Sequence, residues 1–380
     1  MTQKSKPTLA ETFSHIEDPR QQHKVEHPLV NILFIIFCGV LCNAENFIEI
    51  EAFSKSEKDW FGKFLDLSNG LPSHDTLSRT LGLLDEETLQ KVFVAWVGLL
   101  CGKAKGQIAI DGKKLLGTGS KLESGKDALV MVTAFAVELG LTLGQRSVEA
   151  KSNEITAIPH LLEILDLNGC VVTLDAMGCQ TKIVNKIRKQ GGDYIISLKE
   201  NQGNLYTDTT QMFEYLVREE PSKLSYARTT SKGHGRIEVR ECWTYSPQDY
   251  SEHFRTIDQW QDLKSVVMVQ AQRTIGNKTE TKMRFFISSL TDEAKQQLEY
   301  IRGHWQIENS AHWVMDVALK EDAHQLKERA TAKNLSILRQ MVRNLLKMDK
   351  SKGSIQTKMK QCGWNATKRE DILGNIFNLE

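Results

Sequence analysis

The 380-residue chain has no excess of charge of either sign: 49 lysines and arginines stand against 48 acids, a formal net of +1. The total therefore carries no global electrostatic signal. Its seven cysteines, at 38, 42, 101, 170, 179, 242 and 362, include no CxxC pair, which argues against a disulfide framework and against a cysteine-rich zinc site. Unpaired thiols of this kind suit a reducing cytoplasm. No apolar run reaches the roughly twenty residues that a membrane span needs. The longest, PLVNILFIIFCGVLC from Pro28 to Cys42, contains Asn31 and reads as a buried helix. The first eight residues are polar and lack the apolar core of a signal peptide. Repeats and low-complexity segments are also missing.

What is present describes a well-cored protein, 40% hydrophobic and 26% charged, with a length that suggests two or three domains. Charge is unevenly placed. Residues 1–100 carry nine basic side chains against fourteen acids, and residues 325–380 carry twelve against five. A basic end behind an acidic head permits a polyanion on one side of the molecule, or is merely a solvated helical face.

Residues 1–103 read as helical: Pro28 opens the apolar helix, Ser73 is a candidate N-cap, and Leu89, Phe93, Trp96, Val97 and Leu100 fall at helical spacing. Such helices form a bundle or a helix-turn-helix. From Gly106 the pattern changes. Gln107–Asp111 is a short apolar strand ended by an Asp111-Gly112 turn, Leu129–Leu139 and Leu141–Val148 are strands joined at Gly140, and 153–165 is a helix. Val171–Asp175 is a second strand ending in Asp, followed by a basic helix over 179–189 and a strand over 193–198. This alternation predicts an α/β sheet of mixed direction. A mostly β insertion occupies about 203–290, then a long helix from about 292 to 319, and a basic C-terminal tail over 349–380.

Asp111 and Asp175 both close a hydrophobic strand, at the sheet edge where α/β proteins gather catalytic groups, although Asp also favours turns. On the long helix, Ile301, Trp305, Glu308, His312, Met315 and Leu319 share one stripe. Glu308 is thereby expected on an apolar face, needing a partner such as His304 or His312, a proton, or a cation. Three carboxylates make a hard oxygen site of the kind Mg²⁺ or Mn²⁺ prefers. The run from His304 to His312 lacks the HExxH pattern of zinc hydrolases.

At these residues the sequence resembles the bacterial insertion-sequence DDE transposases, and especially the transposase-like proteins of H repeats in Rhs elements. The blocks that carry the likeness are HIEDPRQQHKVEHPL, IAIDGKKL, VTLDAMGCQTKI, QGGDYIISLKENQGNL, FFISSL and IRGHWQIENSAHWVMDVALKEDAHQ, in family order. The resemblance implies a ribonuclease-H-like mixed sheet with a β-rich insertion over residues 104–348, behind an all-helical transposase-associated domain. It implies Asp111, Asp175 and Glu308 as a catalytic, Mg²⁺- or Mn²⁺-binding triad that cuts and joins DNA. It implies element ends and target DNA as partners, and a homo-oligomer assembled on them, with no membrane. The alternative it leaves is a domesticated or inactive relative that binds or nicks DNA without transposition. Where related enzymes place Arg and Lys around the Glu, this chain has His304 and Met315, so Lys199 and Lys320 are candidate substitutes. Further candidates for DNA contact are Lys182, Lys186, Arg188 and Lys189 on the basic helix, Arg302, and Arg339, Arg343 and Lys347 toward the C-terminus.

Overall fold

The computed structural model describes residues 9–119, 127–148, 152–233, 235–291, 293–323 and 326–377. Six helices come first: α1 (Leu9–Ser14), α2 (Leu29–Leu41), α3 (Phe47–Ser56), α4 (Lys58–Phe61), α5 (His74–Leu83) and α6 (Glu86–Cys101). Side chains set their starts. Ser73 accepts from the Thr76 N–H and Asp85 from the Thr88 N–H, each satisfying one donor that the first turn leaves free. Helix α2, the longest apolar run, is buried along nearly its whole length, as its composition demands.

Next come β1 (Gly106–Leu115), β2 (Leu129–Ala136), β3 (Leu141–Ser147), α7 (Glu154–Glu163), β4 (Cys170–Leu174), α8 (Thr181–Lys189), β5 (Asp193–Leu198) and α9 (Gly203–Glu219). Four long strands follow, β6 (Ser225–Gly233), β7 (Arg236–Tyr245), β8 (Ser265–Ile275) and β9 (Lys278–Ser288). All nine strands join one sheet in the order β3-β2-β1-β4-β5-β9-β8-β7-β6. Strands β1, β4 and β5 are parallel, while β2 runs against β1 and β9 against β5. Gly140, at φ +69°, makes the tight β2–β3 connection. The insertion thus begins with a 17-residue helix, and its strands extend the main sheet.

Two expectations need correction. Strand β1 does not turn at Asp111-Gly112 but continues to Leu115, paired with β2 throughout. The long helix is not continuous either. It divides into α10 (Ala294–His304), a π-turn over Glu308–His312, and α11 (Trp313–Val317). A π-turn widens the helix by one residue and shifts every later side chain around the axis. The buried stripe therefore runs through Ile301, Ile307, Ala311 and Met315, and Trp305 and Glu308 face outward. Glu308 is not on the apolar face. The basic C-terminal tail, as far as residue 377, is mostly helical. After α12 (Arg329–Met348), helices α13 (Ile355–Trp364) and α14 (Ala366–Phe377) fold back on the N-terminal helices. There the Arg369 guanidinium lies 4.0 Å from the Trp60 ring centroid and pairs with Glu57.

Helix α12 is the axis of the molecule, with residues 334–346 entirely buried against α2, α5, α6 and β3. Its Arg343 is 1% exposed. Its guanidinium donates to the carbonyls of Ser310 and Gly140 and lies 5.2 Å from the Phe135 ring centroid. Ser310 belongs to the π-turn, where carbonyls lose their regular partners, so a core cation satisfies what the widened turn leaves open. Arg343→Met should therefore cost about 2–4 kcal/mol in denaturant unfolding, because several carbonyls are orphaned at once. Lys347→Met, one turn on and exposed, should stay within about 0.5 kcal/mol of wild type.

Candidate active site

Register creates the site. In the parallel pair β1–β4, the last partners are Ile110 and Leu174, so Asp111 and Asp175 are the next residues on neighbouring strands. Strand spacing is about 4.8 Å. Side chains alternate between faces: Ile108, Ile110, Val172 and Leu174 enter the large core, while Ala109, Val171 and Ile195 enter smaller clusters with Ile301 and Ile307. Asp111 and Asp175 share the parity of this second set. They emerge on the face covered by α10 and the π-turn, and Glu308 comes from that covering segment.

Helix α10 is fastened there by polar contacts. The buried Gln107 amide donates to Thr173 Oγ1 at 2.9 Å and to the Tyr300 carbonyl at 2.8 Å. Thr173 Oγ1 in turn meets His304 Nδ1 at 3.0 Å. A Cβ at Gly303 would overlap the Gln107 amide oxygen, so only glycine lets the helix approach this closely. Burial pushes His304 down to about 4, and at neutral pH it is an uncharged link.

Asp111, Asp175 and Glu308 line one crevice of about 220 Å³ with Thr173, His304, Lys199, Arg284 and Trp305. Asp175 Oδ1 accepts the Met177 and Gly178 N–H groups at 3.0 and 3.3 Å, which is the turn-forming role open to any such Asp. Burial raises Asp111 to about 7, reinforced by the negative charges of Asp175, Glu308 and Glu154 and opposed by the Gly112 N–H. Glu308 is also raised by burial, with Arg284 opposing. The donor set is hard oxygen. Among the described residues, however, no three acidic, histidine or cysteine side chains stand close enough to share a metal ion as placed. Neither histidine partners Glu308. His304 serves Thr173, and His312, also lowered to about 4 by burial, has Nδ1 3.7 Å from Asp111 Oδ2, beyond hydrogen-bond reach.

Two residues that matter here escaped the sequence reading. Glu154, the first residue of α7, fills the space beside Gly112: a Cβ there would overlap its whole carboxyl group. A glycine inside a paired strand leaves room for that carboxyl group, and an interior strand glycine is the signal that could have suggested it. Arg284 on β9 lies over Trp305, 5.0 Å from the ring centroid, and nothing in its local pattern marks it.

The expected basic residues separate into groups. Lys199 lines the crevice. Lys182, Lys189, Arg302 and Lys347 are exposed. Lys186 is paired with Glu163, and Arg188 with Asp193 and Asp262. Lys320 lines a different groove, beside Glu45, His74 and Asp75. Arg339 and Arg343 are 4% and 1% exposed, so the expectation that they meet phosphates is withdrawn: their helix is core, and their charges serve carbonyls.

Residues 102–345 match the family described as Transposase DDE domain, and residues 10–97 the family described as DDE_Tnp_1-associated. A relative named "Putative transposase YncI" from Escherichia coli O157:H7 is 37% identical over 98% of this chain and 96% of its own length. Another, the "H repeat-associated putative transposase YhhI" of Escherichia coli strain K12, is 34% identical over 96% of this chain and 97% of its own. Among solved structures, a piggyBac transposase synaptic complex with hairpin DNA aligns with a TM-score of 0.43 at 10% identity, covering 95% of this chain and 76% of that one. That likeness is too weak to bear on the fold.

The raised Asp111 has a measurable consequence without metal. An unfolded Asp loses its proton near pH 3.9, whereas the folded one holds it to about 7. Stability present at low pH is thus lost as pH rises from about 4 to about 7. Melting temperatures of metal-free protein should decline over that window, and Asp111→Asn should decline less.

Proposed function

The chain belongs to the DDE transposase family, and from that membership we propose that Asp111, Asp175 and Glu308 hold Mg²⁺ or Mn²⁺ while DNA strands are cut and joined. The observation that carries this reading is the register at Ile110 and Leu174, which sets two aspartates side by side beneath the segment bearing Glu308. The strand order β3-β2-β1-β4-β5, in which only β2 runs against the others, supports a ribonuclease-H-like catalytic core with β6–β9 as an insertion. Oxygen-only donors fit a hard cation. Their spacing requires side chains to swing inward, and Glu308, exposed on a widened turn, has room to do so. When bound, such ions activate the attacking oxygen and stabilise the leaving one in phosphodiester displacement.

The chain's own residues prepare that site. Asp111 would lose its proton to become a ligand. Asp175 keeps its orientation through the two backbone N–H groups on Oδ1. Gln107, Thr173 and neutral His304 hold α10 against the sheet, so Glu308 cannot drift from the aspartates by movement of its helix. Lys182, Lys186, Arg188, Lys189, Lys199, Arg302, Lys320 and Lys347 remain the candidates for contact with element ends and target DNA, on which a homo-oligomer would assemble. No described helix is long and apolar enough to cross a membrane.

The spacing of the acids also favours one second reading, a relative that binds DNA without cutting it. Incubation with Mg²⁺ or Mn²⁺ and DNA bearing the element's flanking ends decides: nicked and joined products are expected, and binding alone supports the alternative. Asp175→Asn sharpens the test. Asn can still accept the two N–H groups and removes one repulsion, so metal-free thermal stability should hold or rise slightly. The Mg²⁺-induced rise in melting temperature should vanish. Cleavage should fall by more than the roughly 10–100-fold that even outer partners of metal ligands cost. A destabilised but active variant would assign Asp175 to the turn alone.

A further inference from the structure

The edge of the sheet that carries two acids carries two cations in the same geometry. In the antiparallel pair β5–β9, the last partners are Leu198 and Phe285, so Lys199 and Arg284 are the next residues across. Both line the crevice with Asp111, Asp175 and Glu308. Like charges directly opposite each other on neighbouring strands are destabilising. Among the described residues neither Lys199 nor Arg284 forms an ion pair with a carboxylate. Ion pairs elsewhere on this sheet show that the fold readily supplies one: Arg240 and Arg236 are matched by Glu238, and Lys282 by Glu280.

Arg284 is also held in place. Its guanidinium lies over Trp305, which is 41% exposed and sits one turn before Glu308. Stacking fixes the plane of the guanidinium without using its N–H donors, which stay free for a planar, bidentate acceptor. Two cations without a carboxylate in ion-pair contact, set beside three acids, match a phosphodiester: its charged oxygens need cations, and the bond to be broken needs the acids.

We propose that Lys199 and Arg284, the latter braced on Trp305, form the subsite that holds the phosphate of the DNA strand being cut. This rests on the reading of the crevice as the DNA-cutting site. The pair takes the place of the basic residues that His304 and Met315 do not provide, and it does so from the other side of the crevice. Lys320, in its separate groove, has no part in it.

The test uses full-length protein and a short DNA duplex carrying the element's flanking end. Binding is measured as a function of salt with Ca²⁺ in place of Mg²⁺, and cleavage is followed separately with Mg²⁺. Each phosphate contact contributes roughly 0.9 to the slope of log K against log salt. Arg284→Gln and Lys199→Gln should each lower that slope by about 1, and the double variant by about 2. Arg284→Lys should keep the slope but cut more slowly, because an ammonium cannot lie flat on Trp305; Trp305→Leu should behave likewise. The melting temperature of Lys199→Gln should not fall, since removing one of two facing cations relieves repulsion. An Arg284→Gln protein with wild-type salt slope overturns the proposal, as does one that loses stability while binding and cutting normally. If Arg284→Gln is unchanged while Asp175→Asn abolishes cutting, only this inference fails. If wild type shows neither metal-dependent cutting nor salt-dependent binding, the reading of the crevice fails with it.

Discussion

The buried contact among Gln107, Thr173 and His304 is the constraint on which the arrangement of the crevice depends. Strands β1 and β4 would carry their aspartates to the sheet edge whatever covered them. The helix before Glu308, however, could slide on an apolar sheet, because hydrophobic contact is not directional. A glutamine amide shared between a strand threonine and a helix carbonyl is directional. It fixes the position of α10 along the strands, and the bare backbone of Gly303 sets its height above them. An unmet amide here would cost of order 1–3 kcal/mol, enough to select one position.

Below that fixed layer the protein tolerates unfavourable electrostatics. Asp111 is half-buried beside Asp175, Glu308 and Glu154, and its protonation near neutrality shows the strain. Elsewhere buried charge is compensated with care. Lys113, two residues after Asp111 on the same strand, pairs with Asp316 and Glu321, and Arg343 takes carbonyls from the π-turn and the β2–β3 connection. The crevice gathers acids whose charges oppose one another, as expected where function rather than stability sets the composition.

Much of this was legible in the residues because it is periodic or locally signalled. The apolar strands leading to Asp111 and Asp175, the β2–β3 turn at Gly140, the Ser73 cap and the β-rich stretch before the last acid all follow from alternation, turn chemistry and capping. What misled was whatever depends on distant partners. Asp-Gly is a turn signal by itself, yet here Gly112 lies in a paired strand, with the carboxyl group of Glu154, forty-two positions on, in its side-chain space. A stripe drawn at regular helical spacing placed Glu308 inside, since no local pattern announces a π-turn whose freed carbonyl is met by Arg343. Arg339 and Arg343 looked like a basic surface because charge is visible in a sequence and burial of a 20-residue helix among α2, α5, α6 and β3 is not.

That central helix also sets a timetable. The apolar faces of α2, α5 and α6 are closed by α12, and the far side of α2 by α13, with Arg369 of α14 seated on Trp60. The faces of α2, α5 and α6 that α12 covers therefore stay open until nearly the whole chain has been made. At synthesis rates of about 5–20 residues per second, that exposure lasts for tens of seconds. A message broken before the codons for α12 would yield a product holding both aspartates and Glu308 on an unfinished core, so the architecture itself discards incomplete copies.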